Sequence, residues 1–165
     1  MLDMAGVDFE NTEVCAMITD GEEAGLRGCK SWAKNHYDEY VNSGVETVVL
    51  CVDTLTDREY LRVYNKDMTG TVKNNQQFSQ LVMNASKDAG HDDIELSSVF
   101  FGSSDAAAFS QAGITATCLA AMDPRPADYY HNRRDTADRL VPETIKTGFD
   151  VIISTILNFD EKGLN

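Results

Sequence analysis

No apolar run in the 165 residues approaches the ~20 needed to cross a bilayer as a helix. Positive charge is scarce, with 14 Lys and Arg against 27 Asp and Glu, a formal charge of -13. A field of that sign repels nucleic acid and anionic membrane surfaces, which excludes both as partners, and it suits metal ions and peptide amines. The four cysteines (Cys15, Cys29, Cys51, Cys118) form no C-x-x-C pair. Three of them sit in or beside apolar runs, where a thiol behaves as a small buried hydrophobe, so no structural disulfide is expected. No internal repeat or low-complexity tract is present, and no signal-peptide pattern opens at Met1. Cytoplasmic and exported locations both stay open.

What remains is an ordinary globular composition, 42% hydrophobic and 25% charged, at a length that suits one domain burying roughly 70% of its surface. Residues Met1 to Thr12 are acidic and without periodicity. Val14 to Ile18 is short and β-branched and reads as a buried strand. Ala24 to Tyr40 reads as a helix with Leu26, Trp32, Ala33 and Tyr37 inward. Glu46 to Asp53 reads as a second strand, and its centre, Val48-Val49-Leu50-Cys51-Val52, is apolar throughout, as a strand covered on both faces would be.

Further strands are expected over Glu59 to Asn65, Asp93 to Phe101 and Ile114 to Ala121. In the second of these Ile94, Leu96 and Val99-Phe100-Phe101 supply the apolar positions. Asn74 to Gly90 reads as an amphipathic helix with Phe78, Leu81, Val82 and Ala85 inward. A short helix runs from Ser104 or Asp105 as N-cap to Gln111, and a closing helix spans Val141 to Phe159 with Pro142 in its first turn. Strands alternating with helices predict a three-layer α/β/α sandwich on a mainly parallel, mixed sheet. Between the last strand and the closing helix, Met122 to Leu140 is a long irregular stretch containing Pro124, Pro126, Tyr130, His131 and Asp135. Long loops in compact domains are usually functional.

The chemistry concentrates after the first apolar run, in Ile18-Thr19-Asp20-Gly21-Glu22-Glu23-Ala24-Gly25-Leu26-Arg27-Gly28. On a continuing strand Glu22 and Glu23 would face opposite sides. After Gly21, in a strand-to-helix turn, both can enter one crevice at the carboxyl end of the sheet, where open α/β sheets bind ligands. Two carboxylates there repel unless a cation intervenes. The plainer alternative is a pair of acids in the first turn of a helix, where they favour the dipole. Asp53, Asp105 and His131 also lie just beyond predicted strands. Each has a plainer role too: a strand-ending turn for Asp53, an N-cap for Asp105, a surface loop for His131. Taken together, carboxylates with an imidazole suit zinc.

The decapeptide Thr19 to Gly28 resembles the signature of the co-catalytic zinc aminopeptidases grouped as peptidase family M28. The strand ending in Asp53 resembles that family's next metal-bearing strand. Ser104-Asp105 with Phe109 and Gly113-Ile114, then Tyr130-His131 with Asp135-Thr136, resemble its last two motifs in the same order. The resemblance implies a zinc exopeptidase-like fold and removal of an N-terminal residue from a peptide. It implies Glu22 as general base, Glu23 and His131 on one zinc, and Asp53 on the second. Tyr130 would face the developing oxyanion, or pack as an aromatic. Asp105 would support the pocket, and Asp135 with Thr136 would orient the loop and the closing helix.

The family's other ligands, an H-x-D histidine and a bridging aspartate, have no counterpart among the twenty-one residues before the double glutamate. His36 and His91 follow it, in a helix and a loop. The chain therefore resembles the carboxyl-terminal portion of a peptidase domain, without its amino-terminal strands. Two zinc donors at one position and one at the other predict weak metal binding and little hydrolysis, and the missing strands predict an exposed sheet edge open to self-association. Two alternatives stay open: a non-catalytic binding or interaction domain on the same fold, and a glutaminyl-cyclase-like zinc acyltransferase.

Overall fold

β-Branched runs and amphipathic segments alternate along the chain, and the computed structural model, which describes residues 9–123, 125 and 127–164, places them in one mixed sheet between two pairs of helices. Residues 1–8, Pro124, Pro126 and Asn165 lie outside the described residues. The strands are β1 (Val48–Asp53), β2 (Leu61–Asp67), β3 (Val72–Lys73), β4 (Leu96–Ser98) and β5 (Thr115–Ala121). The helices are α1 (Arg27–Tyr40), α2 (Gln76–Asp88), α3 (Asp105–Gln111) and α4 (Pro142–Lys162).

The sheet runs β1-β5-β2-β3, with β4 also on β2. β1 with β5 and β2 with β4 are parallel, while β2 is antiparallel to β5 and β3. Period-two alternation along β5 explains the three layers. Ala116, Cys118 and Ala120 pack with α1 and α3, and Leu119 and Ala121 pack with α2 and α4. Its small residues let α3, with Ala106, Ala107, Ala108 and Phe109 buried, lie close against the strand. On the opposite face Phe78, Val82 and Ala85 present the helical spacing expected of α2. Asn75 caps that helix, accepting from the Phe78 N–H at 2.9 Å. No helix among the described residues is long and apolar enough to cross a membrane.

Three expectations are overturned. The strand ending in Asp53 is not covered on both faces: β1 lies at the end of the sheet order, and its residues are half-buried except Val52, which is 44% exposed. Val14 to Ile18 is not a buried strand: it makes no ladder among the described residues, Val14 is half-buried, and Cys15 to Ile18 are exposed, Ile18 completely. The segment is instead tied down at its ends. Asp160 near the end of α4 accepts from the Glu10 and Asn11 N–H groups, and Thr19 donates to Asp105 at the start of α3. An apolar run is buried only when a neighbour covers it, and among the described residues β1 has its one ladder with β5. The strand expected over Asp93 to Phe101 is likewise reduced to Leu96–Ser98. Ile94 and Val99 are buried, but Phe100 and Phe101 are 74% and 76% exposed as the chain turns towards α3. The four cysteines are free thiols, as expected.

Position decides what a glycine does here. A Cβ on Gly28 would overlap the Asp20 carbonyl oxygen and sit 2.9 Å from the Asp20 nitrogen, both backbone atoms. On Gly148 it would meet only the end of the Leu55 side chain. Gly28→Ala is expected to cost about 3 kcal/mol and Gly148→Ala about 1 kcal/mol or less in chemical denaturation. The exposed run gives a second comparison. Ile18→Ala is expected to change stability by no more than ~0.5 kcal/mol, and Ile94→Ala to cost about 3 kcal/mol, so equal losses would restore the buried strand.

Candidate functional site

The turn that carries the paired glutamates is set by backbone geometry. Gly21 and Gly25 have φ of 66° and 99°, in the left-handed region glycine enters without penalty. Leu26 shares that region at φ 58°, strained for a residue with a Cβ, but its side chain is 4% exposed in the core against α1 and α3. Burial of that leucine offsets the strain and pins the turn. The Gly25 and Leu26 N–H groups donate to the Glu22 carbonyl at 2.9 and 2.7 Å, and the Gly28 N–H donates to the Asp20 carbonyl at 2.9 Å. Thr19 Oγ1 donates to Asp105 Oδ2 at 2.7 Å, tying the turn to α3. Thr19 was not anticipated as more than a motif residue. A hydroxyl that bridges 86 positions leaves no local pattern.

The two glutamates separate in environment. Glu22 is half-buried, and its carboxyl is pushed up to about 7. Burial contributes most, followed by repulsion from Glu23, Asp53 and Asp105, with His131 pulling the other way. Glu23 stands at the rim, 70% exposed, and its Oε1 lies 2.9 Å from His131 Nε2. Asp53 ends β1, half-buried, with Thr54 Oγ1 donating to its Oδ1 at 2.8 Å. Burial raises its carboxyl above the usual range, and Asp105 and Glu23 add to the rise.

The loop brings His131 to this end of the sheet in a left-handed conformation, φ 56°. Its ring stacks on Tyr130, centroids 3.9 Å apart and planes 17° from parallel. Burial, then Glu23, Glu22 and Asp53, keep the Tyr130 phenol above its ordinary value, so it holds its proton and can donate. The loop is braced around Asp128 and Asn132. Asn132 Nδ2 donates to the Asp128 and Tyr130 carbonyls, and Arg134 and Arg139 both pair with the Asp128 carboxylate. Tyr129 adds a long bond to Thr56 at 3.4 Å.

Asp135 stands apart: it is exposed, and its backbone N–H donates to the Asn132 carbonyl. Beneath the site Cys29 is fully buried, its thiol pushed up to about 12 mainly by burial and then by Asp105, so it is no nucleophile.

Glu22, Glu23, Asp53, Asp105, Tyr130 and His131 thus share one end of the sheet. Among the described residues, however, no three His, Cys, Asp or Glu side chains are grouped to hold one metal ion. Oxygen and imidazole donors are the right types for zinc, but a catalytic zinc takes three protein ligands. This donor set does not fit such a centre.

Comparison with solved structures shows the fold. The LapA aminopeptidase of Legionella pneumophila superposes with a TM-score of 0.67 at 16% identity, over 86% of this chain and 38% of that one. A glutaminyl cyclase from an Acidobacteriales bacterium gives 0.65 at 17%, over 84% and 47%. BSAP, a zinc aminopeptidase from Bacillus subtilis, gives 0.61 at 21%, over 82% and 33%. The chain therefore spans less than half the length of each. Curated protein sequences give no match. The sequence profile of peptidase family M28 matches residues 3–156, nearly the whole chain, and this protein belongs to that family.

Proposed function

We propose that this protein is an aminopeptidase-type module of its family, built to act on the N-terminal residue of a peptide, and that the chain by itself holds zinc weakly and hydrolyses peptides slowly or not at all. The observation that carries this is the half-buried Glu22, poised at about 7 among Glu23, Asp53 and Asp105. A carboxyl that titrates near neutral pH accepts a proton and returns it to a leaving amine, which is what a general base and acid must do. The surrounding carboxylates attract the terminal ammonium of a peptide. Tyr130, kept protonated beside them, supplies a hydrogen bond to an oxygen that becomes anionic during acyl transfer.

Zinc would be taken by Glu23 with His131 at one position and by Asp53 at another, two donors and one where three are usual. A second reading, acyl transfer of the glutaminyl-cyclase type, is favoured by the glutaminyl cyclase among the structural neighbours. A binding module without chemistry has no use for a base held at about 7.

Zinc titration by calorimetry tests the metal assignment. Weak binding is expected for the wild type, with a loss of about tenfold or more in Glu23→Ala and in His131→Ala, and no change in Asp135→Ala. Affinity unchanged by the first two substitutions would remove His131 and Glu23 from the site. Any turnover with zinc supplied is expected to favour a leucyl anilide over a glutaminyl peptide, and the reverse preference would favour the acyltransferase.

Stability against pH tests Glu22 without metal. Its folded-state value of about 7 lies above the ordinary 4.5, so the folded state keeps a proton that the unfolded chain has lost. Stability is therefore expected to fall as pH rises from about 4.5 to about 7, with Asp53 acting in the same direction. In thermal melts with chelator present, Glu22→Gln is expected to exceed the wild type at pH 8 and to match it near pH 4. A constant offset across that range would contradict the assignment.

A further inference from the structure

Asp67 closes β2 and is the one fully buried carboxylate among the described residues. A buried charge is costly unless hydrogen-bonded, and this one has no cation beside it but four donors. Its Oδ1 accepts from the Met68 N–H at 2.7 Å, the Ser104 N–H at 2.9 Å and Ser103 Oγ at 3.2 Å, and its Oδ2 accepts from Ser104 Oγ at 2.5 Å. Ser104 is the N-cap of α3, its hydroxyl oxygen also accepting from the Ala106 N–H at 3.3 Å. The next residue, Asp105, receives the Thr19 hydroxyl, and its other oxygen, Oδ1, is buried with no hydrogen-bond partner among the described residues. A chain of short bonds therefore leads from the end of β2, through the start of α3, to the turn bearing Glu22 and Glu23.

The chain around Asp67 is not there for a relaxed backbone. Met68 and Thr69 follow it with φ of 46° and 55°, two consecutive side-chain-bearing residues in the left-handed region. Accepting the Met68 N–H stabilises the first of these. The same carboxylate thus fixes the direction in which β2 ends and the height at which α3 begins.

We infer that Asp67 is a positioning residue for the glutamate turn, acting through Ser104, Asp105 and Thr19. It rests on the functional reading above only in that this turn is the one assigned the chemistry. Asp67 touches neither Glu22 nor Glu23. Asparagine in its place keeps the shape but turns one acceptor oxygen into a donor facing the Ser104 hydroxyl or the amides. Valine at position 19 removes the last link from the other end.

Amide hydrogen exchange resolved by residue tests the relay without zinc or substrate. Asp67→Asn and Thr19→Val are compared with Ile94→Ala, a core variant on the opposite face of the sheet, at denaturant concentrations that match global stability. The Gly25, Leu26 and Gly28 amides, which donate within the turn, are expected to exchange about tenfold faster or more in both relay variants than in Ile94→Ala. Equal rates at the turn in Thr19→Val and Ile94→Ala would overturn the inference, even should Asp67→Asn fail to fold. Zinc binding in the same samples is read separately. A wild type that binds none would sink the metal assignment and leave the relay standing, and a Thr19→Val that binds zinc as the wild type does would count against the relay alone.

Discussion

Carboxylates crowd one end of the sheet, and their mutual repulsion is the constraint around which this molecule is arranged. Glu22, Glu23, Asp53 and Asp105 come from three places in the chain, and the first is held at about 7 by burial and by the other three. Like charges brought together in a half-buried site store free energy that the rest of the fold must supply. The means are visible: a left-handed turn pinned by the buried Leu26, a glycine at position 28 that lets α1 touch the Asp20 backbone, and a hydroxyl bridge from Thr19 to Asp105. The first two are local in sequence and the third spans 86 positions, and each resists the spreading that repulsion would cause.

The sheet supplies the rigid frame for that arrangement. Parallel pairing of β1 with β5 brings Asp53 level with Ala120, so the carboxylate emerges where the long loop departs. Small residues on one face of β5 admit α3 closely enough for Ser104 and Asp105 to stand at the same end. The opposite face is plain hydrophobic packing, with α2 and α4 burying Phe78, Val82 and Val151. Both layers bury a hydrophobic core, and the layer of α1 and α3 also carries Ser104 and Asp105 at the site.

How much could be read from residues alone follows from where each signal resides. Helices α1 and α2 announced themselves by apolar spacing and α4 by Pro142 in its first turn. Residue type narrowed the N-cap of α3 to Ser104 or Asp105, of which the structure uses Ser104; all are properties of neighbouring residues. The paired glutamates and the Tyr130-His131 step stood out as motifs, and the structure sets His131 against Glu23. Val14 to Ile18 misled because apolarity reports what a segment can bury, not whether a partner lies beside it. Phe100 and Phe101 misled for a similar reason, their strand ending at Ser98. Asp67 left no trace at all: among its donors, Ser103 and Ser104 are 36 and 37 residues away, and nothing around Asp67 hints that a carboxylate there is buried.

The most direct measurement is the titration of the Glu22 side-chain carboxyl carbon by NMR in the metal-free protein, assigned with Glu22→Gln. A midpoint at about 7 is the result this structure predicts. A midpoint near 4.5, the value of a carboxyl free in water, would contradict it, because Glu22 would then feel neither burial nor the neighbouring acids.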